Sequence, residues 1–281
     1  MTTNKLKALE LFAGIGGFRL GMANANIQTV WANDINELCC KVYESNFGKD
    51  SIVLGDINEI SILDIPNHDI LTAARDFCVV LGATPILNLY GVTDGKAVGT
   101  YVELTFNQYL STKYEYTLGS AALGIDFPGL EVDLKVTSIR QPQSSCPFRN
   151  ASQKVYGLGY HLLILVYEKI DEHSSRTANL KFQNVVFVSR ERTGDYQTTY
   201  GLREILRRNG NKEDVIAFLE ERNFPLDEIG REILAERILQ QPPEIGYLTI
   251  SNALQWRLQY SRIIQVATTM TTVSVENLLL G

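Results

Sequence analysis

Charged residues between positions 126 and 135 have the types and spacing needed for metal-assisted chemistry. If residues 131–136 form a strand, its alternation places Glu131, Asp133 and Lys135 on one face and the apolar side chains between them on the other. Asp126 can approach that polar face across a turn. Neighbouring carboxylates repel each other unless a hard cation such as Mg²⁺ relieves the repulsion. A nearby lysine can hold or polarise water, so the set suits hydrolysis of a phosphodiester.

Regular elements around these residues are predicted to hold them in place. The apolar spacing of residues 96–110 predicts a helix that carries a further acid, Glu103. The run at 160–167 is almost continuously apolar, as in a strand buried on both faces. The predicted order is the helix over 96–110, two short strands joined by a Phe-Pro-Gly turn at 127–129, a short helix over 151–157, and strands over 160–167 and 184–188.

An acid, a short spacer and then acid-x-Lys on a central strand resembles the PD-(D/E)xK nuclease family. The resemblance implies that Asp126 and Asp133 are ligands of Mg²⁺, that Lys135 orients the attacking water, and that Glu103 is the acid carried by the preceding helix. The usual Pro-Asp dipeptide is Ile-Asp here. Glu131 is an alternative or additional metal ligand beside Asp133. A D-x-K triplet alone is weak, and a solvated strand face is the competing interpretation.

Two polar segments are candidates for contact with DNA. The loop predicted after Lys135 carries amides and hydroxyls that can bond base edges or phosphates, namely Gln141, Gln143 and Ser144. A C-terminal helix, capped by Ser251, is predicted to place three amides and a guanidinium on one stripe, namely Asn252, Gln255, Gln259 and Arg262. A plain surface loop and an ordinary amphipathic helix are the alternatives.

The first part of the chain reads as a strand, a glycine-rich turn and a helix, followed by a second strand that ends in an acid. Its ordered motifs are LFAGIGGFRLG, ND, GDI and HDILTA. They are closely similar to the opening of C5-cytosine DNA methyltransferases, over about residues 6–73. By that resemblance, Gly14, Gly16, Asp34 and Asp56 are vestiges of a site for S-adenosylmethionine.

The resemblance stops where the family's catalytic cysteine should follow. The family continues into Gly-Phe-Pro-Cys-Gln, whereas this chain reads Ala-Arg-Asp-Phe-Cys and places Cys78 in an apolar run. Covalent catalysis needs that nucleophile. We therefore expect this segment not to methylate DNA, to be a structural relic, and not to use S-adenosylmethionine as a cofactor. Weak binding of S-adenosylmethionine by the surviving glycines and acids is the alternative.

These observations predict an α/β protein with two domains. Residues 1–74 are expected to form a truncated methyltransferase-like fragment, a partial Rossmann-like β-α-β unit. Residues 75–281 are expected to form a PD-(D/E)xK nuclease domain, a mixed central sheet flanked by helices, with a helical C-terminal part. The helices predicted in that part span residues 199–208, 212–222 and 226–239.

Composition limits the class of protein further. The chain has 281 residues, 45% of them hydrophobic, and no apolar run long enough to cross a membrane, so a globular cytoplasmic protein is expected. Its four cysteines lack metal-site spacing. The net charge of −6 neither supports nor excludes DNA, because clustered positive charge and a divalent cation can offset acidic groups.

The leading functional prediction is a type II restriction endonuclease that acts on double-stranded DNA, as a homodimer if its recognition site is symmetric. Three alternatives remain open at this point. They are an S-adenosylmethionine-dependent C5-cytosine DNA methyltransferase, a non-catalytic DNA-binding protein, and a structure-specific repair nuclease.

Overall fold

A computed structural model describes residues 7–60, 69–112, 125–146, 149–251, 256–269 and 274–280. The chain divides into two compact units, Met1–Thr72 and Ala73–Gly281. Helices and strands occur in both units, so the fold is mixed α/β, as predicted. In the ranges given above, every helix is too short or too polar to cross a membrane.

The first unit is a small parallel sheet with two helices. Its three strands pair in the order β1-β2-β3, each parallel to the next. Asn36 caps α2, since its side chain accepts from the amides of Leu38 and Cys39. The core consists of a few buried residues, among them Tyr43 and Ile52. The elements are β1 (Lys7–Leu11), α1 (Gly17–Asn24), β2 (Gln28–Asp34), α2 (Glu37–Phe47) and β3 (Val53–Leu54).

In the second unit, the helices over 95–111 and 153–156 and the strands over 132–138, 161–172 and 177–188 lie close to predicted elements, whereas the sequence predicts neither the helix over 69–82 nor the strand over 143–146. Asp94 starts α4, because its side chain accepts from the amide of Lys96. Gly157 ends α5 with a positive φ of 85°. The elements are α3 (Asp69–Gly82), α4 (Gly95–Ser111), β4 (Val132–Ser138), β5 (Gln143–Cys146), α5 (Gln153–Tyr156), β6 (His161–Glu172) and β7 (Thr177–Val188).

A mixed four-stranded sheet forms the centre of this unit. Its order is β10-β7-β6-β4, with β10 spanning Val275–Asn277. β4 and β6 are parallel, whereas β6 and β7 are antiparallel. The middle of β6 is buried on both faces, which explains its unbroken run of leucine, isoleucine and valine. This sheet fixes the position of β4, the strand that carries Asp133 and Lys135.

Three helices follow the sheet, as the sequence predicts. They are α6 (Tyr196–Arg207), α7 (Lys212–Glu221) and α8 (Glu228–Gln240). A capping box between Asn211 and Asp214 starts α7. Leu202, Val215 and Leu219 are among the buried residues that pack these helices into one apolar cluster.

The last part of the chain is not helical throughout, and here the prediction is wrong. The strands β8 (Thr249–Ile250) and β9 (Trp256–Gln259) form an antiparallel sheet of order β5-β9-β8, and α9 (Ser261–Thr269) follows. Ser251 is not a helix cap. Its hydroxyl accepts from the amide of Arg257 at 3.0 Å, and its own amide donates to the Arg257 carbonyl at 3.1 Å. Those two bonds stabilise the β8–β9 connection.

Candidate active site

Asp133 and Lys135 form a buried ion pair on β4. The Lys135 Nζ lies 2.7 Å from the Asp133 Oδ2, and the two residues are two positions apart, as one strand face requires. Asp133 is only 3% exposed. Burial lowers the pKa of Lys135, but the surrounding carboxylates, Asp133 above all, raise it beyond its usual range. Lys135 therefore stays cationic.

Asp126 completes a pair of acids with Asp133. Its Oδ2 accepts from the Leu134 amide at 2.8 Å, which holds the Asp126 carboxyl against the start of β4. Burial raises the pKa of Asp133 to about 7; Lys135 opposes this rise, and a hydrogen bond with Asp126 adds to it. Two carboxyl groups in such proximity repel each other when both are ionised, and a divalent cation relieves that repulsion.

Glu103 approaches the same cluster from α4, which packs against β4. Burial raises the pKa of the Glu103 carboxyl, the charge of Asp126 raises it further, and Lys135 lowers it. The structure thus brings together four of the residues selected from the sequence: Glu103, Asp126, Asp133 and Lys135.

Glu131 lies outside the cluster, so the prediction that it shares a face with Asp133 is wrong. It precedes β4 in a left-handed conformation with φ of 52°, at the end of a 3₁₀ turn over Pro128–Leu130. Its carboxylate bonds the Arg190 guanidinium at 2.8 Å, and its side chain is 57% exposed. The turn removes Glu131 from the alternation of the strand, which leaves Asp133 as the acid of the acid-x-Lys motif.

The carboxylate oxygens in this cluster fit a hard divalent cation that takes few of its ligands from the protein. Among the described residues, no three His, Cys, Asp or Glu side chains converge closely enough to enclose a metal. Two carboxyl groups do lie together, those of Asp126 and Asp133. Mg²⁺ commonly takes one or two carboxylates and completes its shell with water and substrate phosphate oxygens.

The polar segment after Lys135 is partly a strand, which corrects the predicted loop. Gln141 is exposed in the turn after β4, whereas Gln143 and Ser144 belong to β5. The backbone amide of Gln143 donates to the Thr137 hydroxyl at 3.1 Å. Ser144 Oγ hydrogen-bonds the Tyr260 hydroxyl beneath the sheet. Ser144 is therefore engaged within the protein.

The predicted stripe of amides on a C-terminal helix does not exist in the described part of the chain. Gln259 lies in β9 and is exposed, while Arg262 lies in α9. The Arg262 guanidinium stacks over the Tyr196 ring at 3.6 Å from the centroid. Asn252 and Gln255 lie outside the described residues. Alternation of exposed Arg257 and Gln259 with buried Leu258 and Tyr260 is the signal that could have identified the strand.

In the first unit, the two acids predicted for the S-adenosylmethionine site, Asp34 and Asp56, accept hydrogen bonds from backbone amides of that unit. The Asp34 carboxylate accepts from the amides of Gly14 and Asn36, both at 2.8 Å. Gly16 has φ of 93°, and a Cβ there would lie 2.1 Å from the Phe47 ring, so only glycine fits. Asp56 accepts from the Asn58 amide at 2.9 Å. These contacts within the protein shape the turns.

Cys78 is a core residue of α3, as the sequence predicts. It is 2% exposed, and burial raises the pKa of its thiol far above the usual range. A thiolate is the nucleophilic form of cysteine, so a thiol held neutral in the core is unreactive.

The chain is similar to a restriction enzyme over most of its length. Residues 64–275 match the family described as type II restriction enzyme NspV. The type II restriction enzyme NspV of Nostoc sp. is 58% identical over 196 residues, which cover 70% of this chain and 89% of that enzyme.

A different similarity covers the N-terminal segment. Residues 6–75 match the family described as C-5 cytosine-specific DNA methylase. The type II methyltransferase M.NgoFVII of Neisseria gonorrhoeae is 42% identical over 84 residues, 28% of this chain and 22% of that enzyme. M.HaeII of Haemophilus aegyptius is 46% identical over 67 residues, 24% of this chain and 20% of that enzyme. The chain thus spans about a fifth of the length of these methyltransferases. No solved structure matches the chain.

Proposed function

This chain belongs to the NspV family of type II restriction enzymes, and we propose that its residues 75–281 form a Mg²⁺-dependent endonuclease of the PD-(D/E)xK type. It cuts both strands of double-stranded DNA at a specific site. Residues 1–74 are a methyltransferase-like remnant, a partial Rossmann-like unit that does not transfer methyl groups. The protein acts in the cytoplasm.

The cluster around Lys135 is the observation that carries this proposal. A lysine ammonium 2.7 Å from a 3%-exposed carboxylate, with a second carboxyl hydrogen-bonded to the first, is a costly arrangement inside a protein. Active sites are places where burial and neighbouring charges are arranged in this way to set protonation states. Their order along β4 also agrees with the acid-x-Lys motif.

Asp126 and Asp133 would hold the cation, with Glu103 beside them. Bound Mg²⁺ supplies positive charge to the scissile phosphate and lowers the pKa of bound water. Two neighbouring carboxyl groups form the donor pair that a divalent cation stabilises in its ionised form.

Lys135 has the position needed to orient the attacking water and to stabilise negative charge on the phosphate. Its ammonium is anchored by Asp133 and by the Leu134 carbonyl, which accepts from the Nζ at 3.2 Å. A lysine held in this way donates to an attacking water or to a non-bridging phosphate oxygen without moving. The buried surroundings strengthen that interaction because few waters compete for the ammonium.

A symmetric recognition site would require one such centre for each strand, and a homodimer provides two centres related by a two-fold axis. Light scattering of the purified protein, alone and with a short duplex, measures whether two chains assemble.

Cleavage of unmethylated phage DNA with Mg²⁺ tests the proposal. We expect discrete fragments whose sequenced ends share one sequence, and Lys135→Ala should lower the cleavage rate by about 100- to 10,000-fold. The matched control is Lys169→Ala. Lys169 is also a strand lysine paired with an acid two positions away, Asp171 on β6, so its loss should leave cleavage unchanged.

Each alternative gives a different result in the same assay. Cleavage without a common end sequence indicates a structure-specific nuclease. Methyl transfer from S-adenosylmethionine indicates a methyltransferase. Equal cleavage by wild type and Lys135→Ala, with both proteins folded, would disprove the proposed centre.

A further inference from the structure

We propose that the solvent-facing side of the β5–β9–β8 sheet reads base edges in the major groove of the DNA, through Gln143, Ser145, Arg257 and Gln259. The inference rests on the proposed function for the identity of its ligand, double-stranded DNA. It adds the part of the protein that selects the sequence, which is distinct from the cluster that cuts.

Strand register places these four residues on one face. In the antiparallel pairing of β5 with β9, Gln143 lies opposite Gln259, and Ser145 lies opposite Arg257. Residues two apart on a strand share a face, so both pairs point to the same side. Ser145, Arg257 and Gln259 are exposed and Gln143 is half-buried. The face is therefore a patch of two amides, a hydroxyl and a guanidinium, of which only the Gln143 amide is half-buried.

These side chains are free to bond a ligand. Among the described residues, the side chains of Gln143, Arg257 and Gln259 have no hydrogen-bonding or ionic partner. Other exposed arginines of this unit, such as Arg190 and Arg207, pair with glutamates. An amide pair and an unpaired arginine on a sheet provide donors and acceptors that the fold itself does not use.

The other side of the sheet holds these residues rigidly. Cys146, Ile250 and Leu258 belong to the buried cluster that also contains the middle of β6. Tyr260, fully buried at the end of β9, hydrogen-bonds Ser144 Oγ on β5. Side chains that read bases need a fixed backbone, because ordering a mobile one on binding costs free energy.

The sheet adjoins the proposed cutting cluster, which consists of Glu103, Asp126, Asp133 and Lys135. Thr137 lies two residues after Lys135 on the same strand. Its hydroxyl accepts from the backbone amide of Gln143 at 3.1 Å. Two residues of strand span about 7 Å, or roughly two base-pair steps of about 3.4 Å. Cys146 on β5, whose side chain lies on the buried side of the sheet, is close enough to Lys135 and Asp133 for their charges to act on its thiol. The sheet and the cluster are therefore neighbours in the fold, and one duplex is expected to contact both.

The chemistry of the face suits the major groove. A strand pair fits that groove, a glutamine amide can bond adenine N6 and N7, and an arginine guanidinium can bond guanine O6 and N7. We therefore expect Gln143 and Gln259 to select adenines and Arg257 to select a guanine. Ser145, whose hydroxyl can bond several base edges, contributes less discrimination.

Selection of bound duplexes from a randomised pool tests the inference without cleavage, with Ca²⁺ replacing Mg²⁺. Wild type should enrich one sequence. Gln143→Ala, Gln259→Ala and Arg257→Ala should each lose about 5- to 150-fold of the discrimination at one position of each half of the site. Arg257→Lys keeps the charge but not the paired donors, so it should lose discrimination at the same position while retaining the salt dependence of binding.

Gln240→Ala is the matched control, since Gln240 is an exposed glutamine at the end of α8. It should select the wild-type sequence, and thermal unfolding checks that every variant is folded. Unchanged selection in all three alanine variants overturns the inference, as does a wild-type protein that enriches no sequence. Enrichment that depends on this face in a protein that cuts no DNA would support the inference and disprove the proposed nuclease function instead.

Discussion

Two buried aspartates, one in each unit, differ in what surrounds their carboxylates. Asp34 ends β2 in the first unit, and both of its oxygens accept from backbone amides. Asp133 lies on β4 in the second unit, where a lysine and a second carboxyl face it and burial raises its pKa to about 7. Asp34 belongs to the more recognisable motif. A specific motif can thus persist as a turn whose polar groups bond one another, whereas a weak motif can coincide with a buried cluster of charged groups.

The two units also differ in how much apolar surface they bury. The first unit has a core of a few residues and leaves Phe12, Phe18 and Leu38 at least 69% exposed. In the second unit, β6 and the helices α6 to α8 contribute two extensive buried clusters. Small cores give marginal stability because stability depends on the apolar area removed from water. The comparison predicts different responses of the two units to equivalent mutations.

The largest contrast is expected between Asp133→Asn and Asp34→Asn. The first removes a charge from the cutting cluster and should lower the rate of DNA cleavage by about 100- to 10,000-fold. The second should leave the rate within about twofold. Initial rates on a single-site plasmid measure both. If Asp34→Asn lost activity while remaining folded, the first unit would contribute to cleavage and the comparison would fail.

Core truncation should separate the units by stability. Leu162 on β6 is fully buried, so Leu162→Ala should lower the free energy of unfolding of the second unit by about 2–5 kcal/mol. Ile52→Ala should affect only the transition of the first unit. Urea titration followed by circular dichroism and by cleavage activity measures the two transitions. A single transition shifted equally by both variants would contradict the idea of two separate cores.

A smaller effect is expected from His161, which begins β6. Burial lowers the pKa of this imidazole, and the Arg190 amide donates to its Nδ1 at 3.1 Å. A lowered pKa means that the fold favours the neutral ring. Stability should therefore be full above pH of about 6.5, the unfolded pKa, and should fall as the pH drops below it.

Melting temperatures between pH 5 and 7.5 measure this dependence. His161→Asn should remove most of the slope, because asparagine can still accept from the Arg190 amide but does not titrate in this range. His173→Asn, in the exposed turn after β6, is the control and should keep it. If the dependence of melting temperature on pH is unchanged in His161→Asn, another group than His161 causes it.

The last prediction is that S-adenosylmethionine has no effect: the protein neither binds it tightly nor transfers its methyl group. Both Asp34 oxygens are occupied by amides and Cys78 is buried, so we expect neither methyl transfer to DNA nor micromolar binding. Calorimetric titration and transfer of a labelled methyl group measure the two quantities. Micromolar binding would show that the first unit retains the ligand site of its relatives and is more than a relic.

Much of the architecture was readable because long periodic segments specify their own structure. Apolar spacing predicted α4 and the helices α6 to α8, and the unbroken apolar run predicted β6. The strands β8 and β9 were missed. Only four residues, 257–260, show the alternation of exposed and buried side chains, and so short a pattern also fits a helix. Pairing with β5, which is distant in sequence, decides the strand.

The cutting cluster shows the same division. The sequence by itself determined the pairing of Asp133 with Lys135, because residues two apart on a strand necessarily share a face. Only the tertiary structure decided which further acids join them. A positive φ turns Glu131 toward Arg190, while the turn before β4 and the packing of α4 bring in Asp126 and Glu103. Alternation along a strand is local geometry, whereas the approach of separate elements depends on how the whole core packs.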